Sequence, residues 1–111
     1  MTDLEQLIFY IPSTLFNQLE NDAKRCGVPT HTVVREALDL FTTNYDPDHP
    51  EQLRQWIPPK LEEPATHHLY LPKNLIAAAT DFAGKVSIVL NQKVTGELII
   101  QSAILEYFEG E

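Results

Sequence analysis

The chain has 111 residues, of which 43% are hydrophobic, and this size allows one hydrophobic core rather than several. Its 16 acidic and 8 basic residues give a net charge of −8, which disfavours strong non-specific binding to phosphate backbones or anionic membranes. The single cysteine cannot form an intrachain disulfide, and no apolar run approaches the roughly 20 residues that span a bilayer. Since the N-terminus also lacks the pattern of a signal peptide, we expect a cytoplasmic protein without a membrane partner.

Two short segments end alike, and the rest of the chain is arranged around them. Residues 6–11 are apolar or alternating and reach Pro12, and residues 66–71 reach Pro72, 60 positions later. Proline cannot donate to a β-ladder but starts a helix well, so each segment predicts a strand that leads directly into a helix. Because an isolated strand is unstable, we expect the two strands to pair antiparallel with each other.

Two helical patterns follow the first strand. Ser13 is a typical N-cap residue, and the helix after it should stop at Gly27. Its apolar residues recur at helical spacing and are Leu15, Phe16, Leu19, Ala23 and Cys26, the last of which we expect to be a small buried residue. The second helix should begin with a cap at Thr30 or Thr32, fade near Asn44, and bury Val33, Val34, Ala37, Leu38 and Phe41.

The connector between the two halves is rich in proline. Residues 46–65 contain five of the eight prolines and five acidic residues, so a long helix is not expected there. Leu53, Trp56 and Ile57 nevertheless fit one short helical turn that docks onto the core.

The second strand is followed by a longer helical pattern. The third predicted helix continues past Gly84 to about Lys93, and the last helix opens at Thr95 and Gly96. The buried residues should be Leu75, Ile76, Ala79, Phe82, Ala83, Val86, Val89 and Leu90, and then Ile99, Ile100, Ala103, Ile104 and Tyr107. Because Ala37 aligns with Ala103 at an offset of 66 rather than 60, the second half contains six additional residues.

The order of strand, Pro, helix, Gly, hydroxyl cap and a helix that reads Val-Val-Arg-Glu-Ala-Leu over residues 33–38 resembles the ribbon-helix-helix family of DNA-binding regulators. Residues 7–43 and 67–108 look like both halves of that family's dimer fused into one chain. The second half departs from the pattern at Lys93, where the family has Gly, and at Gln101-Ser102, where it has Arg-Glu.

The resemblance implies a mainly α fold with a two-stranded antiparallel ribbon, in the order β-α-α-linker-β-α-α. Residues 1–45 would be the first ribbon-helix-helix unit, 46–65 the connector and 66–111 the second unit. Together they would form one compact domain, an intramolecular pseudo-dimer.

In this family the outer side chains of the ribbon enter the major groove of double-stranded DNA. The matching base-contact positions are Gln6, Ile8, Tyr10, Thr66, His68 and Tyr70. Gln bonds adenine bidentately, and Thr, His and Tyr donate to bases or phosphates. None of the six is Arg or Lys, the commonest partners of guanine, so the same face equally fits a packing or protein-binding surface.

The resemblance also places phosphate contacts at the start of each unit's second helix, where free N–H groups and the helix dipole favour an anion. The matching positions are Thr30, His31, Thr32, Thr95 and Gly96, with Lys24, Arg25 and Lys93 nearby in sequence. Simple helix capping is the alternative role for the threonines.

The last helix is apolar on a second side, through Leu98, Leu105 and Phe108. This side is either covered within the fold or binds a protein partner or a second copy of the chain. We expect no metal site, because there is no Cys pair and neighbours such as His67 and His68 point to opposite faces of a strand. No catalytic set at recognisable spacing occurs, so we expect neither an enzyme nor a cofactor.

Two hypotheses follow. The first is a DNA-binding transcriptional regulator that inserts its ribbon into the major groove. The alternative is an acidic protein–protein interaction module that keeps the ribbon-helix-helix fold without DNA binding.

Overall fold

The computed structural model describes residues 4–46, 48–54, 57 and 63–109, and its architecture is mainly helical with one two-stranded antiparallel sheet. The elements are β1 (Leu4–Pro12), α1 (Ser13–Cys26), α2 (Thr30–Asn44), α3 (Pro50–Leu53), β2 (Pro64–Pro72), α4 (Lys73–Leu90) and α5 (Gly96–Glu109). This confirms the predicted class of mainly α with a two-stranded antiparallel sheet. None of the helices in these ranges is long and apolar enough to cross a bilayer.

The two strands pair with each other along their whole length. Their antiparallel register runs from Leu4 opposite Pro72 to Pro12 opposite Pro64, so both strands extend slightly beyond their predicted ends. Since alternate residues of a strand point to opposite faces, the sheet has one inner and one outer side. The inner side is buried through Phe9, Ile11, Leu69 and Leu71. The predicted antiparallel pairing is therefore confirmed.

The helices form a single core beneath the inner face of the sheet. One cluster of buried side chains includes residues of both strands and of all five helices. Helix α2 packs against β2 as well as against α5, and α5 packs against β1. The last helix of each half of the chain thus contacts the strand of the other half.

Proline occupies the N-cap position of three helices. Pro12, Pro29 and Pro72 precede α1, α2 and α4 with extended ψ angles between 142° and 153°, and no side-chain cap bond is made. The predicted caps at Ser13 and at Thr30 or Thr32 were therefore wrong. Each proline has the extended backbone of an N-cap residue, so the helix begins at the following residue without a side-chain cap.

The third predicted helix was expected to reach Lys93, but α4 ends at Leu90. Asn91 has a left-handed backbone (φ 54°, ψ 44°) and takes the place that Gly27 (φ 69°, ψ 32°) has after α1. Such a residue stops a helix, and Asn tolerates the conformation better than most side chains. The six additional residues are therefore divided between a longer helix, 18 residues against 14, and a longer connection at 91–95.

The connector contributes apolar side chains to the core. Leu53 ends the four-residue helix α3 and is fully buried, and Ile57 is 3% exposed. The backbone N–H of Ile57 donates to the carbonyl of Leu53 at 2.9 Å. The docking predicted for these two residues is confirmed, and Trp56 lies outside the described residues.

Two side chains at the edge of the core differ from expectation. Cys26 is exposed rather than buried, because it is the last residue of α1 and the chain turns away at the next position. Arg35, which is not among the residues predicted to be buried in α2, is half-buried, and its Nη2 donates to Oδ1 of Asn74 at 3.0 Å.

Candidate functional site

The outer face of the sheet exposes every residue that was predicted to contact bases. These residues form three cross-strand pairs, namely Gln6 with Tyr70, Ile8 with His68, and Tyr10 with Thr66. All six side chains are exposed because they alternate with the buried residues of the inner face. The structure therefore brings the predicted base-contact residues together on one surface.

This outer face is unusually apolar. Tyr10 and Tyr70 are 57% and 58% exposed, and Ile8 and Leu4 are each 47% exposed. Leu4 was missed because the strand was predicted to start at Gln6, although it continues the same alternation. Among the described residues, the other large exposed apolar side chains are Leu40 and Ile88, which lie on α2 and α4. Apolar exposure is thus concentrated on the ribbon.

The outer face is also uncharged. The outward-pointing side chains that the structure describes on the two strands include no Asp, Glu, Lys or Arg. Among the described residues of the two strands and their immediate flanks, the exposed charged side chains are Glu5 on the opposite face of β1, Glu63 before β2 and Lys73 immediately after β2. Lys73 was not among the predicted contacts, although its place directly after the strand-ending proline was a usable signal.

His67 faces the opposite side of the ribbon from His68. Its ring stacks on Phe16 of α1, with ring centroids 4.1 Å apart and planes inclined by 9°. The Oγ of Ser13 lies 3.4 Å from its Nε2. Since the two neighbouring histidines point apart, they cannot hold the same ion. No group of three or more His, Cys, Asp or Glu side chains within the described ranges is arranged to hold a metal.

The predicted phosphate positions at the start of α2 are partly accessible. Thr30 and His31 are half-buried, and Thr32 is exposed. The N–H of Thr32 donates to the carbonyl of Pro29 at 3.0 Å, which leaves fewer free donors than an uncapped helix start. The first turn of α2 contains no acidic residue, so its dipole remains favourable to an anion.

The start of α5 is less suited to a phosphate. The predicted cap is confirmed here, since Oγ1 of Thr95 accepts the N–H of Leu98 at 3.2 Å. The exposed Glu97 lies in the first turn and would repel an anion. A Cβ at Gly96 would lie 2.8 Å from Oγ1 of Thr80, so glycine is needed here for close packing of α5 on α4.

The cationic side chains near these helix starts also differ in how available they are to a phosphate. Lys24 and Lys93 are exposed, whereas Arg25 forms an ion pair with Asp22 three residues earlier in α1. That pairing offsets part of the charge that Arg25 could offer to a phosphate.

The second apolar side of the last helix is not a continuous exposed surface. Leu105 is only 4% exposed, which contradicts its prediction as a partner contact, and Leu98 and Phe108 are half-buried. Helix α5 is covered because it packs against α1, α2, α4 and β1. Phe108 lines a cavity of about 310 Å³ together with polar residues of α1.

Tyr107, beside Phe108, is held in its neutral form. Burial raises the pKa of its phenol above the ordinary value of 10.0, and the neighbouring Glu36 and Asp22 carboxylates add to the shift. The phenol also donates a hydrogen bond to Glu36, which favours the protonated state. This contact ties the end of α5 to α2 and is structural in character.

Comparison with protein-family models, with curated proteins and with solved structures finds no match for this chain.

Proposed function

We propose that the chain is a tandem ribbon-helix-helix protein in which residues 4–44 and 64–109 are the two units of a pseudo-dimer. The sheet register supports this. Ile8 lies opposite His68, the residue 60 positions later, and this is the central pair of the ribbon. The remaining pairs lie in equal number on its two sides. The positions thus have a local two-fold relation, as in a ribbon formed by two copies of one strand.

On this basis we propose a cytoplasmic DNA-binding transcriptional regulator that inserts the ribbon into the major groove. The observation that carries the proposal is the outer face of the ribbon, which is exposed, uncharged and bears hydrogen-bonding side chains in all three cross-strand pairs. The major groove admits a two-stranded β-ribbon, and the amide of Gln6 has the donor and acceptor that match adenine.

The start of α2 supports the same proposal. Thr30, His31 and Thr32 lie at a helix N-terminus whose first turn contains no acid, so their side chains and the N–H groups of Thr30 and His31 suit a phosphate. We assign Thr95 and Gly96 a weaker contact of the same kind, because Glu97 opposes it. Such contacts would position the ribbon without reading sequence.

A second candidate is an acidic protein–protein interaction module with the same fold. The exposed Leu4, Ile8, Tyr10 and Tyr70 on one face favour it, since contiguous apolar surface commonly marks a protein interface. The net charge of −8 also opposes approach to DNA. A second copy of the chain is one possible occupant of this face.

The experiment is a titration of labelled duplex followed by fluorescence anisotropy at ~50 mM salt and micromolar protein, where even non-specific phosphate contacts register. We expect the unmodified protein to bind. A variant with Gln6, Tyr10, His68 and Tyr70 all replaced by Ala should lose sequence preference but keep its fold, because exposed changes cost within about 0.5 kcal/mol each.

The matched control replaces Leu40 and Ile88 by Ala, which removes exposed apolar side chains from the helices instead of the ribbon. This control should bind as the unmodified protein does. Absence of duplex binding by the unmodified protein would exclude the DNA proposal. In that case, sedimentation of the unmodified protein as a dimer and of the four-residue variant as a monomer would support self-association through the ribbon.

A further inference from the structure

We propose that the duplex site has two halves of unlike base sequence, and that unlike side chains at the two ends of the ribbon impose this difference. The inference rests on the proposed function, because it concerns what the same ribbon face would read.

The backbone of the ribbon is arranged evenly about its centre. Both strands are nine residues long, both end in proline, and the central pair joins positions 8 and 68. A ribbon with identical side chains on the two strands would present the same chemistry in both directions. Such a protein reads a palindromic site, because operator symmetry mirrors protein symmetry.

The outward side chains break this symmetry. Positions 10 and 70 are both Tyr, but Gln6 corresponds to Thr66 at the matched position of the other strand. One end of the face therefore presents Gln6 beside Tyr70, and the opposite end presents Tyr10 beside Thr66. Gln bonds adenine through two groups, whereas Thr offers one hydroxyl and a methyl group that contacts thymine. The two ends therefore favour different bases.

The centre of the face is also unequal. Ile8 and His68 lie opposite each other at the local two-fold position and are both exposed. Ile offers only apolar contact, while the His ring offers a hydrogen-bond donor or acceptor. The two DNA strands would therefore meet different chemistry at the middle of the site.

The residues beside the two ends of the ribbon differ in charge, and this difference fixes the orientation of the protein on the duplex. Lys73 directly follows Pro72, the end of β2, which pairs with Leu4 at the Gln6 end of the ribbon. The matched position after β1 is the uncharged Ser13. His31 in α2 corresponds to Glu97 in α5 at the offset of 66. Unlike charges at matched positions make the two orientations on a duplex unequal in energy.

The test uses selection of bound sequences from random duplexes with three proteins. The first is the unmodified chain. The second carries Thr66→Gln with His68→Ile, so that both strands present Gln, Ile and Tyr. The third carries Gln6→Thr with Ile8→His, so that both strands present Thr, His and Tyr.

We expect the unmodified chain to select a site with two unlike halves, and each variant to select a palindrome. The two palindromes should repeat different halves of the unmodified chain's site. The unmodified chain should bind its own site about tenfold more tightly than either palindrome, the effect of one good side-chain contact to a base.

Selection of a palindrome by the unmodified chain would overturn this inference and leave the DNA proposal intact. Duplex binding without any base preference would also overturn it. Failure of the unmodified chain to bind any duplex would instead remove the proposed function itself. Because all four positions are exposed, both variants should melt within a few degrees of the unmodified chain. If one does not, Thr66→Gln and Gln6→Thr alone provide the same comparison at the ends of the ribbon.

Discussion

The two halves of the chain, residues 4–44 and 64–109, contain the same order of one strand and two helices. Their strands are equal in length, but their first helices are not. The strands β1 and β2 are both nine residues long and end in proline, whereas α1 has 14 residues and α4 has 18. A one-residue slip in a paired strand would move its whole apolar face into solvent. Helices and their connections absorb additional residues without that penalty, which is where the difference in length between the two halves lies.

The second helices of the two halves also occupy different environments. Helix α2 has five buried residues, whereas every residue of α5 from Ile99 to Leu105 is buried. The polar Gln101 and Ser102 are among them, at 6% and 0% exposure. No buried side-chain polar atom among the described residues lacks a partner, so this polarity is satisfied within the fold. The second half therefore provides the central helix of the core.

The largest expected difference between the halves concerns the matched pair Phe41 and Tyr107. Phe41 is fully buried and packs edge-on against Phe82, with the two ring centroids 6.0 Å apart. Tyr107 is half-buried. We expect Phe41→Ala to lower the free energy of unfolding by about 3–5 kcal/mol, because it empties a closed site. Tyr107→Ala should cost about 2 kcal/mol, since a half-buried ring loses less apolar surface and one hydrogen bond.

Chemical denaturation monitored by circular dichroism measures both values. Each variant should unfold in one transition, because both halves contribute to one cluster of buried side chains. Two separate transitions, or equal losses for the two variants, would contradict the comparison.

A smaller effect is expected from the close approach of α5 to α4. Gly96→Ala brings a Cβ within 2.8 Å of Oγ1 of Thr80 and 3.2 Å of its backbone N, so we expect a loss of about 1–3 kcal/mol. The matched control is Gly84→Ala, where no atom lies within 4 Å of the new Cβ. That control should stabilise α4 by about 0.5–1 kcal/mol. Thermal unfolding that ranks the two variants in the reverse order would show that the α4–α5 contact is looser than described.

The smallest effect is the pH dependence of Tyr107. Its pKa is raised in the folded protein, so its contribution to stability is fully present below the ordinary value of 10.0 and is lost as the pH rises through the raised pKa. Tyr107→Phe should flatten this alkaline loss and leave the slope near neutral pH unchanged. Urea unfolding at a series of alkaline pH values measures it, and an unchanged alkaline slope in the variant would contradict the assignment.

The parts of the fold that depend on alternation were predictable from the sequence. In the first strand Phe9 and Ile11 alternate with Ile8 and Tyr10, which already defines two faces. The second proline, 60 positions later, identifies the partner strand. The outward set followed from that pattern alone. Leu4 was missed because no residue marks where pairing begins.

Features that depend on backbone conformation or on distant packing were not predictable. The left-handed turn at Asn91 has no unique sequence signal, so α4 was given three residues too many. Burial of Leu105 depends on the four elements that pack around α5, and a helix pattern cannot show which neighbour covers it. The partner of the outer face was not predictable in the same way, because binding depends on a molecule that the sequence does not contain.

Binding of DNA by the ribbon can be tested by an NMR titration of the labelled protein with a short mixed-sequence duplex at ~50 mM salt. We expect saturable shifts of backbone amide signals that are concentrated in residues 4–12 and 64–72, with smaller shifts at the start of α2. Unchanged spectra at micromolar protein and excess duplex, or shifts confined to helices away from the ribbon, would contradict it.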